Sequence, residues 1–250
     1  MNKSIFERYS EYYDLLYKDK DYNAEVKYLN RLISRHGANF KDILEFGSGT
    51  GKHARILVEL GYKIHGIELS ANMVSKTETV SGFTCQQGDI ANTKTGKTYD
   101  VVLSLFHVMS YQITNKQLKN VFNNAAAHLN KDGLFIFDFW YSPAVYAHKP
   151  LVRVKRVSNE EIKITRIAEP INMPNENRVD INYSIYVKNL LDEKIDVIKE
   201  THSVRHFSLL EIDIMCEVCG FERLETEEFK TGKEINENTW GPCVLLKKIR

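Results

Sequence analysis

The chain has 250 residues, 43% of them hydrophobic, with 34 basic against 33 acidic side chains and a formal net charge of +1. That length and composition allow one sizeable buried core, and the near-neutral balance argues against a nucleic-acid or acidic-membrane surface, which would leave a basic excess or stripe. No apolar run approaches the roughly 20 residues of a bilayer span, and Met1–Glu7 lacks a signal-peptide core; no nucleic acid and no membrane is expected as a partner, and a cytoplasmic location is expected.

Tyr-rich amphipathic patterns predict helices over 3–18 and 22–36. Strand 42–47, helix 51–60, strand 62–68, helix 70–79, strand 82–87, strand 98–105, helix 114–129 and strand 133–139 follow. This alternation implies an α/β fold with a doubly wound parallel sheet. After Pro143 the pattern changes, and 151–157, 161–168, 178–190 and 194–206 alternate apolar with polar residues, as antiparallel strands exposed on one face do. Helix 208–219 and strands 221–229 and 242–249 return to the core. The expected units are therefore a main domain over 1–141 and 207–250, and an antiparallel β insertion over 142–206.

The run Ile43-Leu44-Glu45-Phe46-Gly47-Ser48-Gly49-Thr50-Gly51 joins an apolar strand to a helix through glycines at alternate positions. Glycines belong where the backbone takes positive φ or where a ligand approaches too closely for a Cβ. A dinucleotide loop would need a glycine at 52, which is Lys, and a phosphate loop would need Ser or Thr at 53, which is His. Neither fits, and acidic Glu45 suits a cationic, hydrogen-bond-donating ligand better than a pyrophosphate. Glu68 ends the next strand, where a carboxylate can accept both hydroxyls of a ribose, and Ser70 caps the helix after it. The third strand leads into Gln87-Gly88-Asp89-Ile90.

The pattern E-x-G-x-G-x-G, followed by Glu68 and Asp89 at successive strand ends, resembles the class I S-adenosylmethionine-dependent methyltransferases. The resemblance covers about residues 40–140 and 207–250, and it implies a seven-stranded sheet whose last strand inserts antiparallel. It makes S-adenosyl-L-methionine the expected cofactor. Its expected contacts are Tyr13, Tyr22, Glu45, Gly47, Ser48, Gly49, Gly51, Glu68, Leu69, Met73, Asp89, Ile90 and Leu105. Glu68 would hold the ribose, Asp89 the adenine amino group, and Ile90 the adenine ring. Phe46 departs from the smaller residue that many relatives carry there, and His53 carries no catalytic implication.

The turn Leu105–Tyr111 would border the transferable methyl group, and His107, with a pKa near neutrality, is the catalytic candidate. Methyl transfer to a neutral amine needs no strong base, because alignment supplies much of the barrier reduction. Asp138, Trp140 and Tyr141 at the end of the fifth strand, with Tyr17, are the expected substrate contacts. The run Tyr12-Tyr13-Asp14-Leu15-Leu16-Tyr17-Lys18-Asp19-Lys20-Asp21-Tyr22 resembles the N-terminal lid of methyltransferases acting on nucleotide-linked amino sugars. That likeness implies N-methylation of a small-molecule acceptor, with an insertion that covers the acceptor pocket or forms a homodimer contact. O-methylation of a small metabolite, N-methylation of a free amine such as glycine, and a non-catalytic cofactor-binding module are the alternative readings. Cys216 and Cys219 fall within a helical pattern without a second C-x-x-C, so core packing is expected there and no metal.

Overall fold

The structure is a computed structural model that describes residues 9–78 and 80–250. The expected helix over 3–18 therefore begins outside the described residues; within them, α1 spans Tyr9–Leu16 and α2 spans Tyr22–His36. Then come β1 (Asp42–Phe46), α3 (Lys52–Glu59), β2 (Lys63–Glu68), α4 (Ala71–Ser75), β3 (Phe83–Gln87) and β4 (Tyr99–Ser104). A 3₁₀ turn, Val108–Tyr111, leads to α5 (Asn115–His128), β5 (Leu129–Asp138), β6 (Trp140–Tyr141) and α6 (Ser142–Ala147). The long strands β7 (Arg153–Ser158), β8 (Ile162–Met173), β9 (Arg178–Asn189) and β10 (Ile195–Phe207) precede α7 (Leu209–Cys219), β11 (Phe221–Glu228) and β12 (Pro242–Lys248).

The main sheet has the order β11-β12-β5-β4-β1-β2-β3, and β12 lies antiparallel to both of its neighbours. Its parallel strands are buried on both faces, which explains why Ile43-Leu44, Val101-Val102-Leu103 and Phe135-Ile136-Phe137 read as unbroken apolar runs. One face packs Phe46, Val102, Phe135 and Phe137 against Phe122 of α5 and Ile212 of α7. The other packs Ile43, Leu103 and Ile136 against Leu29, Leu32 and Ile33 of α2 and Leu57 of α3. β1 and β4 are neighbours, so the strand order reverses between them. In an open α/β sheet a ligand binds in the crevice beyond the carboxyl ends of such a pair.

The segment between β5 and α7 forms a second sheet of order β6-β10-β9-β8-β7, antiparallel except where β6 joins β10. Its inward face carries Ile164, Val187, Ile185 and Ile198 and receives Leu16 of α1.

Several elements differ from the sequence reading. The helix expected over 70–79 is only Ala71–Ser75, and its last expected residue lies outside the described residues. Ser70 does cap it, accepting from the Met73 N–H, but Thr77 and Val80 are β-branched and no apolar stripe continues past Ser75. β8 runs on to Met173 through Pro170, because β7 pairs with β8 only as far as Ala168 and leaves Pro170 on an edge where no N–H is required. β6 and α6 were not anticipated.

Candidate active site

The three loop glycines all have positive φ: 73° at Gly47, 58° at Gly49 and 78° at Gly51. Two of them also answer to packing. A Cβ on Gly47 would lie 2.6 Å from Val108 Cγ2, and one on Gly51 would lie 2.3 Å from Phe83 Cε1. A Cβ on Gly49 would meet nothing nearer than Met73 Sδ at 3.9 Å, so the middle glycine borders open space. Glu68 fixes that geometry: Gly49 N–H donates to Oε2 at 2.9 Å and Ser70 N–H to Oε1 at 2.8 Å. One carboxylate thus ties the glycine loop to the start of α4. The Gly88 N–H donates to Glu68 O, which brings the Asp89 turn alongside, where Asp89 Oδ1 accepts from the Ala91 N–H at 2.9 Å. Ile90 and Met73 are buried next to it, while Leu69 is 37% exposed.

Glu45 lies beneath the loop, 1% exposed, and among the described residues its Oε2 has no hydrogen-bond partner. Burial first, then the nearby charge of Glu68, push its carboxyl up to about 8. A buried acceptor without a donor, below a glycine loop open at its centre, fits an ammonium ligand such as the amino-acid end of adenosylmethionine. Ser48, also buried, turns its hydroxyl to Cys85 Sγ at 3.4 Å.

Sequence reasoning missed a chain of charged groups leading away from Glu45. His53 Nδ1 is 3.8 Å from Glu45 Oε1, its Nε2 is 2.7 Å from Glu25 Oε2, and Glu25 pairs with Lys20. Burial pulls the His53 imidazole down, with the Glu25 hydrogen bond opposing. Burial would raise Glu25, but its His53 hydrogen bond and the Lys20 charge hold it below the usual carboxylate range. Lys20 Nζ sits 4.3 Å from the Tyr22 ring centre and 4.5 Å from that of Phe106.

Past β4, Phe106 and His107 both adopt φ 62°, an uncommon conformation for two successive non-glycine residues. Asp138 holds the turn: the His107 N–H lies 3.2 Å from each of its carboxylate oxygens, and His107 Nδ1 is 2.8 Å from Oδ2, at ion-pair range though not aligned as a hydrogen bond. Burial would raise Asp138, yet the charge and hydrogen bonds of His107 lower it. Asp138 is 1% exposed, and His107, itself partly exposed, covers it.

Tyr13 and Tyr17 reach this turn from α1, with ring centres 6.4 and 5.0 Å from Phe106, while Tyr22 packs on His53 at 5.0 Å. The inserted sheet meets them with a group that the sequence reading did not name. On its inward side, beside Ile164, Ile185 and Ile198, β8, β9 and β10 bring together the polar residues Arg166, Tyr183, Glu200 and His202. Arg166 Nη1 donates to Tyr17 Oη at 3.1 Å. Its guanidinium lies 5.2 Å from the Tyr183 ring centre, and burial, then Tyr17, push the Tyr183 phenol up to about 12. His202 Nδ1 and Tyr111 Oη share a hydrogen bond of 2.9 Å, and His202 Nε2 is 3.2 Å from Glu200. Trp140 joins this side through Trp240, Tyr111 and Tyr183. Tyr141 does not. Strand alternation turns it to the opposite side of β6, onto the helix-covered core with Arg223 near its hydroxyl, which corrects its expected place among the substrate contacts. Cys216 is buried in that core and Cys219 packs against it, both as free thiols.

Comparison with known proteins agrees with this geometry. A family model described as a methyltransferase domain matches residues 43–133, from β1 into β5. A dTDP-3-amino-3,4,6-trideoxy-alpha-D-glucopyranose N,N-dimethyltransferase of Streptomyces venezuelae is 24% identical over 180 residues, covering 71% of this chain and 76% of that protein. A dTDP-3-amino-3,6-dideoxy-alpha-D-glucopyranose N,N-dimethyltransferase of Streptomyces fradiae is 25% identical over 179 residues, covering 70% of each. The crystal structure of Streptomyces venezuelae DesVI superposes with a TM-score of 0.80 at 19% identity over 97% of this chain and 98% of that one. The sugar N-methyltransferase KedS8 of a Streptoalloteichus species gives 0.82 at 18% identity over 98% and 94%. Identities this low carry the fold alone. With a crevice at the β1/β4 reversal and a sheet closed by an antiparallel β12, the chain carries a methyltransferase domain over residues 43–133 and is similar, along most of its length, to nucleotide-linked amino-sugar N-methyltransferases.

Proposed function

We propose that this enzyme N-methylates an amino group on a nucleotide-linked sugar. The observation that carries the reading is the polar island of Arg166, Tyr183, Glu200 and His202, set beside the apolar residues Ile164, Ile185 and Ile198 and closed from the other side by Tyr17 and Tyr111. Such a site offers a cation for anionic groups, and imidazole, phenol and carboxylate groups for sugar hydroxyls, next to the turn that carries His107. The amino-sugar activity of the curated relatives points the same way.

When bound, adenosylmethionine supplies a methyl group already activated on its sulfonium. The protein's own task is then placement. On this reading Glu45 receives the cofactor's ammonium, the Gly47–Gly51 loop accommodates its amino-acid end, Glu68 turns to the ribose, and Asp89 and Ile90 receive the adenine. Leu105 and the Phe106–His107 turn border the reacting side, and Tyr13, Tyr17 and Tyr22 close over it. His107, in its neutral form, is positioned to accept the proton that an acceptor ammonium must shed before attack, and Asp138 would then face the imidazolium. The inserted sheet covers the acceptor, and the reading extends to its outer face as a homodimer contact. The four free thiols suit a reducing, cytoplasmic compartment.

The test is a mass-shift assay with labelled adenosylmethionine against a panel of nucleotide-linked amino sugars, glycine and hydroxyl-bearing metabolites. Label on the sugar nitrogen supports the proposal. Label appearing only on glycine or on an oxygen would overturn it.

A further inference from the structure

The cofactor crevice is rich in acid, with Glu45, Glu68, Asp89 and Asp138 all at the carboxyl ends of their strands or in the turns just beyond. Those groups suit an ammonium, hydroxyls and an exocyclic amine. They do not suit the remaining charged group of an α-amino acid, its carboxylate, which needs a cation.

Lys20 is placed to be that cation. It lies in the segment between α1 and α2, and its side chain is 13% exposed. The ammonium is held against the faces of Tyr22 and Phe106, with Glu25 as partner. Its contacts set Lys20 between the β4 turn, where Phe106 lies, and the Glu25–His53 link to Glu45 beneath the β1 loop. An ammonium has three N–H donors, and Glu25 takes one. Glu25 is anchored in turn by His53, the neighbour of Glu45, so the two ends of this chain present opposite charges to the same crevice.

We propose that Lys20 binds the α-carboxylate of the cofactor's methionine end, pairing with Glu45 to recognise the zwitterion. This makes Lys20 a positioning residue for the cofactor, carried on the lid, so that lid closure and grip on the amino-acid end are one event. The inference rests on the reading of Glu45 given above.

Isothermal titration of wild type and Lys20→Met with S-adenosylhomocysteine and with 5′-methylthioadenosine, which lacks the amino-acid end, tests it. Removing a charge-assisted contact should weaken homocysteine-conjugate binding about 10- to 100-fold while leaving methylthioadenosine within about twofold. Equal affinity of the two proteins for adenosylhomocysteine, or parallel loss on both ligands, would overturn the proposal. Lys20→Arg keeps the charge and should hold adenosylhomocysteine affinity within about fivefold; a loss as deep as that of Lys20→Met would also sink it. Should Lys20→Met not fold, the wild type decides alone, since decarboxylated adenosylmethionine bound as tightly as adenosylmethionine refutes a carboxylate partner. Glu45→Gln separates the two readings: unchanged adenosylhomocysteine affinity there removes Glu45 and leaves the Lys20 contrast to stand or fall by itself.

Discussion

Cofactor affinity should fall as pH falls, and Glu45 sets the window. Its carboxyl, raised to about 8 by burial and by Glu68, is protonated at neutral pH when no cation faces it. Accepting an ammonium favours the ionised form, so binding releases a proton at any pH below about 8. In the limit where only the ionised form binds, the dissociation constant rises tenfold per unit, or roughly fifty-fold between pH 8 and pH 6. Titration of adenosylhomocysteine in buffers of differing ionisation heat would show both the slope and the released proton. Glu45→Gln should bind more weakly at pH 8 with a nearly flat profile. A flat wild-type profile, or an unaltered slope in the variant, refutes the reasoning. The same shift has a stability consequence of opposite sign. A group whose folded-state pKa is raised contributes stability below its unfolded value, and that contribution is lost as pH rises through the folded one. For Glu45 the loss runs from about 4.5 to about 8 and amounts to roughly 3 kcal/mol at pH 7. The cofactor-free Glu45→Gln protein should therefore melt several degrees higher than wild type near pH 8.

Glu68→Gln should weaken cofactor binding and loosen the loop, since both carboxylate oxygens accept backbone N–H groups; unchanged titration and unchanged hydrogen exchange at Gly49 and Ser70 would contradict this. Gly51→Ala should destabilise the fold by about 1–3 kcal/mol, from positive φ and the Phe83 clash, measured by denaturant unfolding. Gly49→Ala, with open space at its Cβ, should cost about 1 kcal/mol or less while sharply lowering cofactor affinity. Equal losses of stability in the two variants would refute that division. Asp138→Asn removes the carboxylate that holds the Phe106–His107 turn, so kcat should fall while adenosylhomocysteine affinity holds, and an unchanged kcat would refute that role. His202→Ala and Tyr183→Phe should raise the acceptor KM and leave adenosylhomocysteine affinity unchanged, and the reverse pattern would remove the island from acceptor binding.

The glycine-loop half of the candidate site is legible in the sequence because it is local. Glu45 through Gly51, Glu68 and Asp89 sit at the ends of consecutive β-α units, so their order along the chain is their order in space. The acceptor half was not. Arg166, Tyr183 and His202 share a face only once the register of β8, β9 and β10 is known, and Arg166 meets Tyr17 across 149 positions of sequence. The alternation in β9 was visible, and a polar island on its inward side could have been found by aligning the strands. Asp138 was singled out, but its partner His107 was not matched to it, because that contact depends on β4 and β5 being neighbours. Tyr141 went astray because β6 was not recognised, and a strand of two residues sends its side chains to opposite faces. The Lys20-Glu25-His53 chain had no spacing signal, since its members lie on the lid segment, α2 and α3.

This division has a consequence for how the enzyme could change its acceptor. The proposed cofactor contacts at Glu45, the glycine loop and Glu68 hang from β1 and β2, which are hydrogen-bonded on both sides, and two of the three loop glycines are fixed by packing against Val108 and Phe83. Substitution there disturbs the core. The proposed acceptor side is assembled from three separate pieces, α1, the turn after β4 and the inserted sheet, joined by apolar contacts such as those of Leu16 with Ile164 and Ile185. Arg166, Tyr183, Glu200 and His202 project from strands whose fold rests on their apolar neighbours, so their identities can vary without breaking the sheet. The inserted sheet is thus where a shift of acceptor would cost least stability, and the glycine loop is where it would cost most.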